Sequence, residues 1–258
     1  VVWATEPVLT LSNCIDEVLL YEASTDPTQA AALFPDCQLT YLPGTPIKKR
    51  LTPLEAVDGA HFNFDPERHY YLCPFPIPEI HHDFYAQCAE ILTQDPVGDI
   101  LFLASNTPSG ERHWQQQLQK RYPEVAARMH ILPPLNPTAE RGVVQNVNVL
   151  LEPFYNPLKH AWWQRILWGT PAVHYDEGQV TGTWLKKIYA HMHWTESVVT
   201  QHKDYAPCAV RLARDPEAKA RYQTHLAQST LDFNSLTQFV EQWLAQKTST
   251  DTEGKPIQ

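Results

Sequence analysis

From Tyr70 onward, hydrophobic positions recur in two alternating ways: short unbroken apolar runs, and longer stretches with an apolar residue every three or four positions. Tyr70-Tyr71-Leu72-Cys73 reads as a short buried strand ended by Pro74, because proline has no N–H for a sheet ladder. Asp83 to Thr93 places Phe84, Cys88, Ile91 and Leu92 on one helical face and is stopped by Asp95-Pro96-Val97-Gly98. Asp99 to Ala104 is a continuous apolar strand, the type buried on both faces of a parallel sheet. The pattern then predicts a helix over Glu111 to Arg128, a strand at His130 to Leu132, a helix at Asn136 to Val144 and a strand at Val147 to Leu151. A helix over Lys159 to Leu167 and a Gly169-Thr170-Pro171 turn lead into a strand at Ala172 to Tyr175. Beyond it the pattern gives a helix at Thr183 to His191, a strand at Ser197 to Val199, a helical stretch over Lys203 to Gln228 broken at Asp215-Pro216, and a helix at Ser235 to Gln246. Strands separated by helices of about 10 to 18 residues predict an α/β fold with a Rossmann-like, doubly wound parallel sheet.

The first 60 residues are less regular. A strand-like Ile15 to Tyr21, a helical turn at Thr28 to Phe34 and a strand at Gln38 to Leu42 end at Pro43-Gly44. This region carries little core of its own and is expected to pack onto something else. The Lys48-Lys49-Arg50 cluster reads as a solvated surface loop or an anion contact. Residues 247–258 are polar and read as a disordered tail.

Composition narrows the partners. With 258 residues, 43% of them hydrophobic, the chain can bury one full domain plus a smaller piece. A formal charge of −9 argues against nucleic acid, whose binding needs a basic surface to release counterions. No apolar run reaches the roughly 18 to 20 residues of a membrane span, and no signal-like segment opens the chain. Five scattered cysteines without CxxC spacing read as reduced thiols in a cytoplasmic protein. The chain opens on Val rather than Met, which suggests processing, truncation or further sequence upstream.

Several motifs, taken in order, resemble the C-terminal lobe of family 41 glycosyltransferases, the protein O-GlcNAc transferase-like enzymes. They are Tyr71-Leu72-Cys73-Pro74, Ile80-His81-His82-Asp83-Phe84, Ile91 to Gly98, Leu135-Asn136-Pro137, Asn148-Val149-Leu150-Leu151-Glu152-Pro153-Phe154 and Trp168-Gly169-Thr170-Pro171-Ala172-Val173. The stretch from Tyr205 to Glu217 is similar to the family's closing helices, and Ile15-Asp16 and Tyr41-Leu42-Pro43-Gly44 to its inter-lobe segment. The resemblance implies a GT-B fold of two Rossmann-like lobes. Residues 1–60 would be the inter-lobe segment or a remnant of the N-terminal lobe, and 61–246 the C-terminal lobe.

The same resemblance implies donor-site positions at Glu79, Leu135, Glu152, Lys159, His160, Ala161 and Gln164. A nucleotide diphosphate leaving group gathers charge that cations, hydroxyls and helix N-terminal amides must meet. Glu79 stands where the family has a lysine, His160-Ala161 where it has a hydroxyl pair, Pro157-Leu158 where it has glycines, and Gln164 where it has an acidic ribose partner. Glu6 to Ser12 likewise lacks the glycine of the family's phosphate loop. Lys159 and His160 could still form a rebuilt anion site. Trp162 or Trp163 could stack on a sugar or base, or fill the pocket, and Trp168 reads as core.

His81-His82-Asp83 reads as a helix start capped near Asp83 rather than as metal ligands. His191, His193 and His202 read as surface or core histidines. No catalytic residue, metal or cofactor is assigned, and a nucleotide sugar such as a UDP-sugar would be the donor substrate. Two functions stay open. The chain is a transferase acting on a protein or glycan acceptor, with this or a different donor, or it is a non-catalytic, glycosyltransferase-like scaffold that binds a partner subunit.

Overall fold

In a computed structural model, residues 2–3, 17–21, 27–42, 64–104, 108–155, 165–176 and 183–229 are described. Two parallel sheets contain all the described strands. The first holds β1 (Val2–Trp3), β2 (Glu17–Tyr21) and β3 (Gln38–Leu42) in that order, with α1 (Pro27–Leu33) linking the last two. Val18 and Leu20 alternate onto one face of β2, as the two-residue period of a strand requires. They bury with Ala30 against Phe34, Cys37, Leu39 and Tyr41. The segment therefore has a small apolar cluster of its own.

The second sheet is formed by β4 (His69–Pro76), β5 (Gly98–Leu103), β6 (Met129–Leu132), β7 (Val149–Leu151), β8 (Ala172–Tyr175) and β9 (Val198–Val199). Their spatial order is β6-β5-β4-β7-β8-β9, and each neighbouring pair is parallel. Numbered from β4 this is the 3-2-1-4-5-6 order of a Rossmann sheet, which reverses direction between β4 and β7. The doubly wound α/β fold expected from the sequence is present. Tyr71, Leu72, Cys73, Ile100, Phe102 and all of β7 are buried, which is why these strands read as unbroken apolar runs.

The connecting helices are α2 (His82–Gln94), α3 (Pro108–Arg121), α4 (Pro137–Asn146), α5 (Thr183–His191), α6 (Tyr205–Arg214) and α7 (Ala218–Gln228). α2 buries the predicted face of Phe84, Cys88, Ile91 and Leu92. Three alanines among the seven buried residues of α6 let it lie close to α2 and β8. The Gly-Thr-Pro turn also forms as expected. Gly169 takes φ 93°, a conformation that favours glycine, and Thr170 donates its hydroxyl to the Val144 carbonyl at 2.6 Å.

Two boundaries differ from the sequence reading. β4 continues through Pro74 to Pro76, because its register shifts between Cys73 and Pro76 and the prolines fall in that irregularity. α3 stops at Arg121 rather than Arg128, since Pro123 cannot continue a helix. A 3-10 turn over Ala126–Arg128 follows. The helix expected over Ser235 to Gln246 and the tail 247–258 lie outside the described residues.

The displaced Arg128 has a long-range role. Its guanidinium donates to the carbonyls of Asp95 at 2.8 Å, Gly98 at 2.9 Å and Leu92 at 2.6 Å, capping the end of α2. Beneath it, fully buried Asp95 accepts from Tyr71 Oη at 2.7 Å and lies 2.8 Å from His69 Nδ1. A Cβ on Gly98 would stand 3.0 Å from both Asp95 Oδ2 and Tyr71 Cε2, so this turn needs glycine.

Two stability measurements follow from this packing. Arg128→Ala removes three bonds to carbonyls and is expected to cost about 2 kcal/mol in urea unfolding, with faster hydrogen exchange in the last turn of α2. Burial pushes Tyr71, Tyr85, Tyr189, Tyr205, Tyr222, Cys73, Cys88 and Cys208 above their ordinary pKa values. The unfolded chain loses these protons at about pH 9 to 10 while the folded chain keeps them. Their stabilisation is therefore complete below that range and lost above it. Burial lowers Lys219 to about 8, so that lysine acts in the opposite sense, one group against eight. The urea midpoint should fall between about pH 9 and 11.

Candidate functional site

Because every strand of the large sheet is parallel, all carboxyl ends lie along one edge, and the crevice of an open α/β sheet opens where strand order reverses. Here that place lies between the segments leaving β4 and β7. After β4 the chain makes a 3-10 turn at Ile77–Glu79. Ile77 and Ile80 are buried and anchor the turn, which leaves Glu79 exposed. The cap of α2 is His81 rather than Asp83: its Nδ1 accepts from the Asp83 N–H at 3.4 Å. An extended backbone at His81 lets its ring nitrogen serve the free helical amide as an Asx side chain would. Among the described residues, His81, His82 and Asp83 are the one grouping whose donor atoms, within 4.8 Å of each other, could hold a metal ion.

After β7, Glu152 is buried and hydrogen-bonded through Oε2 to Nδ1 of His174 on β8. The pairing of Leu151 with Val173 sets the two side chains side by side. The Glu152 carbonyl accepts from Tyr205 Oη at 2.8 Å, and its N–H donates to Val173 O at 3.3 Å. The residue expected at the donor site thus clamps β7, β8 and α6 beneath the crevice.

Phe154 continues that clamp. It is buried, with Phe84 at 5.5 Å, Tyr175 at 5.3 Å and Tyr205 at 5.1 Å in edge-on contact. His202 stacks on it at 4.5 Å and 29°. Tyr155 leaves this cluster for solvent at 51% exposure. Its backbone takes φ 57°, and its ring meets His81 edge-on at 4.9 Å and 88°. The contact between His81 and Tyr155 joins the segments that leave β4 and β7.

The remaining predicted residues divide plainly. Leu135 is half-buried in the loop after β6, packed on the core, and Asn136 beside it caps α4 by accepting from the Ala139 N–H at 2.9 Å. Glu79, Leu135 and Glu152 therefore share the carboxyl edge. Lys159, His160, Ala161 and Gln164, with Trp162 and Trp163, lie outside the described residues. Trp168 packs on the core.

Sequence reasoning missed His174, Tyr155 and Arg165 and read His202 as surface or core. A histidine inside an apolar strand, opposite a carboxylate one residue past the neighbouring strand, was the available signal for the first. Arg165 lies 2.5 Å from Glu140 in the first turn of α4, and Lys186 lies 2.6 Å from Asp176. Arg165 and Lys186 are thus each engaged by a carboxylate. Among the described residues, no helix is long and apolar enough to cross a membrane.

No protein-family model matches the chain, and no curated relative matches its sequence. Solved structures do match in three dimensions. A mutant of Thermobaculum terrenum O-GlcNAc transferase is similar with a TM-score of 0.70 and 18% identity, over 90% of this chain and 44% of that one. WaaG, a glycosyltransferase involved in lipopolysaccharide biosynthesis, matches with 0.59 and 14%, over 86% and 61%. The six-stranded parallel sheet has the fold of one lobe of these GT-B structures. A mutant of S. aureus TarM, in complex with fondaparinux, α-GlcNAc-glycerol and UDP, matches with 0.59 and 10%, over 89% and 43%. The chain thus spans between 43% and 61% of the length of these structures, and at these identities the likeness is one of fold.

The buried pair gives a direct test of the crevice floor. His174→Leu leaves the Glu152 carboxylate buried without its imidazole, and such a change is expected to cost about 3 kcal/mol. Chemical denaturation of the variant measures it.

Proposed function

We propose that this chain is the nucleotide-sugar-facing lobe of a glycosyltransferase-like protein of the O-GlcNAc transferase type, engaging a donor such as a UDP-sugar for transfer to a protein or glycan acceptor. The observation that carries this reading is the reversal of strand order between β4 and β7, flanked by the turn bearing Glu79 and the segment starting at Glu152. Ligands of open α/β sheets enter at that position. Residues 61–246 would form the lobe, and residues 1–60 the inter-lobe segment or a remnant of the N-terminal lobe. Lys159, His160, Ala161 and Gln164 would line the phosphate side, with the two cations supplying the charge. Buried thiols at Cys73, Cys88 and Cys208 suit a reducing, cytoplasmic setting.

A second reading has its own support. Glu79 is an exposed carboxylate where the resemblance implies a lysine, and a like charge about 4 Å from a phosphate opposes it by about 4 kcal/mol near a protein surface. Such an edge suits a non-catalytic lobe that binds a partner subunit.

Titration calorimetry with UDP and GDP separates the two. UDP is expected to bind, and Lys159→Ala with His160→Ala to weaken it about tenfold or more, as loss of charge-assisted bonds does. Absence of nucleotide binding at millimolar concentration would overturn the donor-lobe reading for this chain.

A further inference from the structure

His81, His82 and Asp83 bring two imidazoles and a carboxylate together, with donor atoms within 4.8 Å of one another. Three consecutive residues at a helix start do not ordinarily do this, because side chains one and two positions apart on a helix point apart. Here His81 stands outside α2, in extended backbone at φ −65° and ψ 143°, and its ring turns back over the first turn. Its Nδ1 lies 3.5 Å from Asp83 Oδ2, and His82 Nε2 lies 3.3 Å from Asp83 Oδ1. The centroids of the two imidazole rings are 4.1 Å apart, with the planes at 42°.

Those separations are long for hydrogen bonds, and they fit a metal ion. Ligand bonds of about 2.0–2.2 Å at tetrahedral angles put neighbouring donor atoms about 3.3–3.6 Å apart. The cap bond that His81 Nδ1 accepts from the Asp83 N–H is long as well, at 3.4 Å, so little is lost when that lone pair turns to a cation. Tyr155 meets the His81 ring edge-on at 4.9 Å. Side-chain exposures of 40% for His81, 65% for His82 and 50% for Asp83 leave all three donors open to ions in solution. The helix start opposes a cation with about half a positive charge, and the Asp83 carboxylate meets the cation with a full negative one. Two nitrogens and an oxygen select a zinc-like ion over magnesium or calcium, which take oxygen ligands.

We propose that His81, His82 and Asp83 form a surface site for a divalent transition-metal ion of the zinc type, with the remaining coordination positions left to water or an external ligand. The site goes beyond the donor-lobe reading and stands or falls without it.

Calorimetric titration of the full chain with zinc chloride and, separately, magnesium chloride tests the site in wild type, His82→Ala and Asp83→Asn. His113→Ala, at an exposed position on α3, controls for the other histidines. Zinc is expected to bind wild type at micromolar concentration and His113→Ala equally well, and magnesium to bind neither. His82→Ala and Asp83→Asn should each weaken zinc at least about tenfold, since even outer-shell partners of a metal are worth that much. Cobalt(II) should take zinc's place and show the visible absorption of a four-coordinate ion, lost in both variants. Both altered side chains are exposed and the cap belongs to His81, so the thermal midpoints without metal should stay close to that of wild type. Absence of zinc binding by wild type, or zinc binding indifferent to the His82 and Asp83 changes, overturns the site. So does magnesium binding as tight as that of zinc, which would make the attraction one of charge alone. Lowered midpoints in both variants with zinc affinity retained would leave the trio a helix start and nothing more.

Discussion

A carboxylate removed from water costs several kcal/mol unless it is paired and hydrogen-bonded, and Glu152 meets that constraint at the centre of the carboxyl edge. Its side chain takes His174 from β8, its carbonyl takes Tyr205 from α6, and its N–H returns to Val173. Three elements are therefore locked where the chain leaves β7. Phe154 and Tyr155 follow directly from that lock.

The opposite edge of the sheet solves a related problem. A helix end leaves carbonyls without partners, and α2 ends where the chain must turn tightly into β5. Arg128 supplies the missing donors from 36 residues beyond Leu92, and Asp95 is held among Tyr71, His69 and, at 3.7 Å, Arg214. Polar residues thus fix both edges of an apolar sheet. The apolar runs supply burial energy, while these clamps decide which strand ends face the ligand.

The alternation of strand and helix was legible because its cause is local. Burial on both faces writes an unbroken apolar run, and burial on one face writes a helical period. Gly169 and Asn136 were legible for the same reason, since turn and cap chemistry acts within a few residues. The misjudged boundaries came from prolines: Pro123 ended α3 early, whereas Pro74 did not end β4. A proline's effect depends on whether its missing N–H faces a partner strand, and only the register reveals that. The clamps were not legible. Glu152 and His174 are 22 residues apart, Arg128 and Leu92 36, and no local periodicity links them.

Tyr155 shows why a candidate site can escape sequence reasoning even when its surroundings do not. Resemblance points to the residues a family uses, here the positions of the phosphate chemistry from Lys159 to Gln164. Tyr155 carries no motif. Its distinction is a backbone angle and an exposure, both set by the lock on Glu152 and by the cluster around Phe154. A left-handed tyrosine is unstable by itself, so it persists only where the surrounding contacts over-determine it. The buried polar pair and the ring cluster provide that surplus. The angle of Tyr155 and the partner of Glu152 are both set by contacts distant in sequence, and neither is intelligible from its own few residues.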